Sequence, residues 1–426
     1  VLAGHNALMR FWLKWLGIGL AALALLAAAA LFALWRWTST EDFRLRAERE
    51  ASQALGLPVK LGRLQLSLWP LPAVAVEQVV VQSQPPLTLQ RIEATPVWRS
   101  LLGDSPALAE LAVRRATLPQ PAIAAIAASL QKKKQGAPGP RGPEPDLARR
   151  FPRRLVLEEV TWVDARGRPM TLNAQARLLP EGALESASAE VVAGRFAGAR
   201  ADLRTEGEAW ALKAQIGGGT IAGPLTLSQR PAGWLLEGRL VTQNVEVAAL
   251  TAPAKPLSGR LDAQTTLQAE FRDPGAITDV LKSQTRFTVR QAVVHGLDLA
   301  QAVKRVGTSR GGQTALDTLA GQLNTQGRAM QLTNLVASSG LLAATGQLAL
   351  APDRSLSGRV TVELGSASLG GALGVPLVVG GNLDSPTVTL SRAALLGAAV
   401  GTAVTPGVGT AAGAKLGEKL RGLFGK

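Results

Sequence analysis

Along residues 261–271 the chain alternates without a break: Leu261, Ala263, Thr265, Leu267, Ala269 and Phe271 share one parity, and Asp262, Gln264, Thr266, Gln268 and Glu270 share the other. Successive side chains of an extended strand point to opposite faces, so this segment has one greasy face and one wet face. The same period recurs in Trp210, Leu212, Ala214 and Ile216 against Lys213 and Gln215, and in Val360, Val362 and Leu364 against Arg359, Thr361 and Glu363. Runs of this kind, punctuated by Gly, Pro, Asn or Asp, predict about twenty strands, far above the five or six of an ordinary sheet. The fold class that follows is mainly β and antiparallel, each strand buried on one face.

Helical interruptions are few. Residues 41–55 read as a helix with Thr40 as its cap and acidic residues in the first turn. Shorter ones are expected at 97–102, 122–131, 274–282 and 299–306. In the last two, Asp273 with Pro274 and then Asp298 supply the start signals. The Pro/Gly-rich, charged stretch 131–150 reads as a linker, and its basic residues Lys132, Lys133, Lys134, Arg141, Arg149 and Arg150, with Arg153 and Arg154 beyond, as a solvated flank more readily than as a contact for acidic headgroups.

Residues 16–35 carry no charge, and twenty residues at 1.5 Å each match the roughly 30 Å hydrocarbon core of a bilayer. Trp12 and Trp15 flank one end and Trp35 and Trp37 the other, as interfacial indoles do, while Arg10 and Lys14 orient the N-terminus to the cytoplasm. A cleaved leader ending near Ala27–Ala30 competes with this reading, and the apolar run continuing to Trp35 disfavours it. Met9, directly before the basic-aromatic flank, offers an alternative start. With the body outside the cytoplasm, the formal charge of +15 points to acidic lipid headgroups and not to nucleic acid.

Hydrophobic residues make up 46% of the chain but aromatics only 4%, so the apolar surface is small and aliphatic. The absence of Cys excludes disulfides, thiolate chemistry and Cys-ligated zinc. Only His5 and His295 offer imidazole. His295, in VVHGLDL, reads as a hydrogen-bonded turn residue with no Ser or acid assignable to it from sequence. Gly311-Gly312-Gln313-Thr314 lacks the Lys of a phosphate loop and reads as a flexible loop. The expectation is a non-enzyme without cofactor or metal.

From residue 393 to 413 the tail is again uncharged, with Gly397 and Gly401, then Gly409, Gly413 and Gly417, at four-residue spacing, and Pro406 between. Lys415, Lys419, Arg421 and Lys426 alternate with Leu416, Leu420, Leu423 and Phe424, an amphipathic end suited to a bilayer surface or to capping a sheet edge. The organisation is therefore a flank and anchor at 1–37, an N-terminal unit at 38–130, the linker at 131–150, a β body at 151–390 and a Gly/Ala-rich tail at 391–426.

Three segments carry a family resemblance in a characteristic order. LGLPVKLGRLQLSLWPLPAVAVEQVVVQ at 55–82, with RIEATPVWRSLLG and ALAELAVRRATL behind it, resembles the N-terminal unit of the AsmA-like family. TRFTVRQAVVHGLDLAQAVKRV and TALDTLAGQLNTQGRAMQLTNLVASSGLLAATGQLAL resemble its C-terminal module, and VPLVVGGNLDSPTVTL at 375–390 its last hairpin. The resemblance implies an elongated, curved, taco-like antiparallel sheet with an apolar groove, related to bridge-like lipid-transfer proteins. It also implies an inner-membrane protein, single-pass, whose bulk lies in the periplasm and moves phospholipid towards the outer membrane, without catalysis. The competing role is a periplasmic scaffold for outer-membrane protein biogenesis with envelope protein partners. Groove candidates are Trp210, Leu212, Ile216, Leu261, Ala263, Leu267, Phe271, Val360, Val362 and Leu364. From alternation alone these faces make the dry core of a sandwich or barrel more readily than the wall of an open groove.

Overall fold

Alternation of apolar and polar residues is realised as strand after strand. The computed structural model describes residues 41–67, 73–97, 108–135, 152–179, 183–231, 233–252, 255–272, 277–304, 311–340, 342–364, 374–382 and 385–390. Among these lie twenty strands and five short helices, a mainly β chain. It divides into two compact units, residues 1–185 and 186–426.

The first unit opens with α1 (Glu41–Leu55), which carries Glu41 and Asp42 in its first turn, where carboxylates favour the helix dipole. Strands β1 (Val59–Lys60), β2 (Leu64–Ser67), β3 (Ala73–Val81), β4 (Leu87–Pro96) and β5 (Leu108–Pro119) follow. β1 and β2 both pair with β3, which pairs with β4, and β4 with β5, all antiparallel. Helix α2 (Gln120–Gln135) has Pro121 in its first turn and a run of alanines, the best helix former. It extends past the expected 122–131, so 132–135 belong to a helix and not to the linker; residues 136–150 lie outside the described residues.

After α2 the chain returns as β6 (Arg154–Val163), which runs parallel to β5, with β7 (Pro169–Leu178) antiparallel beyond it. This corrects the all-antiparallel expectation. A parallel pair needs a long crossover, and α2 with the Pro/Gly-rich stretch supplies one. Val59, Val79, Val81, Leu87 and Ala122 form the core of this unit, and Ala51 and Leu55 of α1 and Ile123 and Ile126 of α2 pack on it. The apolar face of the first unit is thereby covered by its own helices.

β8 (Leu184–Gly194) begins at the end of the first unit, and everything from Ser186 onward belongs to the second. There follow β9 (Arg200–Glu206), β10 (Ala209–Ile216), β11 (Gly219–Arg230), β12 (Gly233–Glu246), α3 (Val247–Thr251), β13 (Leu257–Phe271), α4 (Ile277–Val280), β14 (Lys282–His295) and α5 (Leu299–Lys304). The unit ends with β15 (Gln313–Gln326), β16 (Ala329–Ser339), β17 (Leu342–Leu350), β18 (Leu356–Leu364), β19 (Gly374–Asn382) and β20 (Ser385–Leu390). From β8 to β20 each strand pairs antiparallel with the next in sequence.

The expected helix at 274–282 is the single turn Ile277–Val280, because Lys282 already begins β14; Asp273 and Pro274 lie outside the described residues. The helix expected at 299–306 is found from Leu299 to Lys304, capped as foreseen by Asp298, whose carboxylate accepts the Gln301 amide at 2.8 Å. Of the expected helix at 97–102, residues 98–102 lie outside the described residues. Gln313 and Thr314 are not a flexible loop: they start β15, and Thr314 is buried.

Three strands of the second unit carry a left-handed residue other than glycine, Asn244 on β12, Gln291 on β14 and Asn334 on β16, with φ of 53°, 50° and 52°. The pairing register shifts at Thr242/Val245, at Ser258/Arg260 and at Leu332/Leu335. Such bulges increase local twist and re-aim the side chains beyond them. The Asn244 amide, freed from the ladder, donates to the Asp262 carboxylate at 2.9 Å, and the other oxygen of Asp262 meets Arg290 at 2.7 Å.

Candidate functional site

Strand pairing joins the apolar parities of the second unit into rows that cross many strands. Trp210 lies opposite Leu225, Leu225 opposite Gly238, and Gly238 opposite Leu267. The row continues through Ser283, Thr325, Met330, Leu350 and Leu356. A parallel row runs Leu261, Val289, Leu319, Ala337, Ala344, Val362 and Val375. Between them Thr265, Thr285, Leu323, Leu332, Leu348, Gly358, Val379 and Val388 face each other in turn. Because parity is preserved strand to strand, all of these side chains share one face of the sheet.

Glycines in the floor of this face are covered by neighbouring leucines. A Cβ at Gly238 would run into Leu225 and press on Leu267, so the two leucines meet over it. Gly321 is covered likewise by Leu335 and the Phe287 ring. Thr265 and Thr285 are polar interruptions, and each satisfies the other through a hydroxyl contact of 3.0 Å, which lowers the cost of placing them among aliphatics.

Burial divides the face into two stretches. From β14 to β20 it is dry along the row of Val289 and Val362: Val289, Val362, Leu377 and Val388 are at most 2% exposed, and Val375, Val379 and Leu390 join them in one cluster, whereas Met330 on the first row is 37% exposed and Ser283, Thr325, Leu350 and Leu356 beside it are half-buried. Among the described residues outside the strands, Val247 of α3, Leu297 and Leu299 of α5 pack into this cluster. Helix α5 contacts both β15 and β18, strands that are not neighbours. Thr314 pins the cover, since its hydroxyl donates to the Leu297 carbonyl at 2.8 Å and accepts the Leu299 amide at 3.0 Å.

From β8 to β11 the face is different. Leu203, Leu212, Ile216, Ile221, Leu225 and Leu227 occupy one parity, yet among the described residues no side chain of these strands is buried. On β12 and β13 the pattern is mixed: Leu236, Leu240, Leu261 and Leu267 are half-buried and Trp234 is 39% exposed, while Ala263, Ala269 and Phe271 are buried. The opposite parity is mostly wet, with Lys213, Gln215, Gln264, Thr266, Gln268 and Glu270 exposed, although Leu235, opposite Glu270, is buried. A recess of about 560 Å³ belongs mainly to that wet side, where Gln268, Lys282, Gln284, Asn324 and Gln331 line it.

Of the residues singled out in sequence, Trp210, Leu212, Ile216, Leu261, Ala263, Leu267 and Phe271 share the apolar face in or beside the uncovered stretch. Phe271 lies opposite Trp234 near the end of β13. Val360 and Val362 share that face but sit in the dry stretch, opposite Leu377 and Val375. The Leu364 side chain lies outside the described ones, as do Trp12, Trp15, Trp35, Trp37, the expected span at 16–35 and the tail at 391–426. Among the described residues no helix is long and apolar enough to cross a membrane. Sequence reasoning did not single out Ile221, Leu225, Leu227, Leu236 and Leu240, although the alternation in 219–230 carried the same signal.

His295 ends β14 with its ring nitrogen 3.0 Å from the Ser258 hydroxyl, a pairing across the β13–β14 ladder that brings no carboxylate to the imidazole among the described residues. The described residues hold no group of three or more His, Cys, Asp or Glu able to ligate a metal. In the basic cluster, Arg154 pairs with Glu110 at 3.4 Å and Arg153 is exposed; the Lys132, Lys133 and Lys134 side chains, with Arg141, Arg149 and Arg150, lie outside the described ones. No family model, no curated protein and no solved structure matches this chain.

Proposed function

We propose that this chain is a non-enzymatic, membrane-anchored lipid-handling protein of the cell envelope, in which the apolar face of the second unit forms an elongated groove for phospholipid acyl chains. The observation that carries the reading is the uncovered stretch: aliphatic side chains held in register across β9–β13, with no buried residue among the described ones from β8 to β11. A sheet whose face served only as core would be covered, as the first unit is by α1 and α2.

The physical need is large. Moving a buried acyl chain into water costs about 0.8 kcal/mol per CH₂, so a diacyl lipid of on the order of thirty methylenes meets a barrier above roughly 20 kcal/mol. A dry aliphatic surface removes most of that barrier while the headgroup stays in water. Five strands at about 4.8 Å spacing make a strip roughly 20 Å wide, which exceeds the ~15 Å depth of one leaflet's hydrocarbon. Placement in the inner membrane, with the body in the periplasm and transport towards the outer membrane, rests on the uncharged segment at 16–35 and on the AsmA-like resemblance.

The test is lipid content. The full chain, extracted from membranes in mild detergent, is expected to carry phospholipid at a fixed stoichiometry by native mass spectrometry, and Leu212→Glu to lose it. A folded chain that holds no phospholipid and takes up no labelled phospholipid from vesicles would overturn the reading and favour an assembly scaffold.

A further inference from the structure

Resting on the lipid reading above, we infer that the apolar face is blind-ended along the row of Leu261 and Val289: acyl chains occupy β9–β13 and stop on that row at the seal formed by Leu297, Leu299 and α5. The groove then has a loading stretch and a stop, and the second unit holds lipid without passing it along that row into β17–β20.

The seal is built and not incidental. Leu297 and Leu299 are 8% and 6% exposed and enter the same cluster as Leu377 and Val362, both at 0%. A side chain with no exposed surface leaves no room for an acyl chain beside it, because protein interiors are close-packed. The segment is fixed at three points. Thr314 binds the backbone on both sides of residue 298, Asp298 caps α5, and Leu297 makes a parallel bridge to Gly311. Gly312 leaves space for this crossing, since a Cβ there would meet the Asp298 side chain at 2.9 Å, and its φ of 86° suits glycine.

Of the three points, the Thr314 hydroxyl is the one that holds the stop from inside. Thr314 is itself buried, and the Leu297 carbonyl and Leu299 amide it serves lose their partner if it is removed. Loss of both bonds shifts the equilibrium between seated and lifted segment by roughly tenfold or more, while the strand pairings of β15 and the face of β9–β11 are left alone.

The experiment uses the full wild-type chain and a phosphatidylglycerol with a diazirine at its acyl terminus, presented in phosphatidylethanolamine vesicles, with crosslinked peptides mapped by mass spectrometry. Label is expected in residues 200–271, at a yield roughly tenfold above that in 342–390, and Thr314→Val is expected to raise the 342–390 label towards the other. Equal labelling of both stretches in the wild-type chain overturns the blind end while leaving the lipid reading intact. No label in 200–271 overturns both. If Thr314→Val loses its fold, the label in 200–271 falls with it, and the wild-type map alone then decides.

Discussion

Whether the face of β10 is an open surface or a dry core can be decided by placing one charge at two points on it. Leu377 of β19 is 0% exposed and sits between Val360 and Leu390 on the neighbouring strands. Leu377→Glu forfeits the roughly 1.5–3 kcal/mol of a fully buried leucine and adds several kcal/mol for a carboxyl group with no partner, a total above about 4 kcal/mol. That is of the order of a domain's whole stability. Leu212 of β10 lies between Leu203 and Gly223 and is half-buried. Leu212→Glu gives up about 1 kcal/mol of transfer energy and keeps its carboxylate in water. With a urea dependence of about 2 kcal/mol per molar, the midpoint should fall by about 0.5 M for Leu212→Glu and by more than about 2 M for Leu377→Glu. Far-UV circular dichroism of the full chain in urea reads both. Equal shifts would refute the division of the face and return β9–β11 to the status of core.

Three further outcomes follow from named contacts. Thr265→Val leaves the Thr285 hydroxyl without its partner at 3.0 Å and should cost about 1 kcal/mol, while the double change to Val returns to within about 0.5 kcal/mol of the parent; a double-mutant cycle in urea that finds simple additivity contradicts the mutual satisfaction. Asp262→Ala removes the acceptor of the Asn244 amide and the partner of Arg290, and about 1 kcal/mol should be lost, with faster hydrogen exchange at Asn244. Asp164, in the turn between β6 and β7, is held below its ordinary value of 3.8 by the Arg168 backbone amide, then by the Arg168 side chain and the Arg166 amide. A lowered folded pKa contributes stability above the unfolded value and loses it as pH falls through the folded one, so the exchange protection of the Arg166 and Arg168 amides, taken relative to the free-chain rate at each pH, should fall below about pH 4, and Asp164→Asn should flatten that response.

Parity was the part of this fold that the residues spelled out. The period of two put Trp210, Leu212, Leu261, Leu267 and Val360 on the same face before any partner strand was known, and hairpin pairing then kept that face continuous. The Asp298 cap was equally local, because a carboxylate at a helix start acts within three residues. Direction of pairing is not local. Nothing within residues 108–119 or 154–163 distinguishes a parallel from an antiparallel neighbour, and the crossover through α2 decided it. The bulges were hidden for a related reason: Gln291 takes a left-handed conformation that no Gly announces, under constraints set by the strands on both sides.

Cover is the property that alternation cannot carry, and the candidate function turns on it. Val362, between Thr361 and Glu363, and Leu212, between Ala211 and Lys213, both lie on the apolar parity of their strands, yet one is at 0% exposure and the other is half-buried. The difference lies in a short segment after β14, where Leu297 and Leu299 turn inward and Thr314 fixes their backbone. In sequence that segment showed only a capped turn after His295, and Thr314 passed for part of a flexible loop. The same strand chemistry therefore makes a core where a cover is present and a lipid-compatible surface where none is. A protein that handles acyl chains needs no different residues for its groove than for its core: it needs the cover to end, and here the described cover ends before β11.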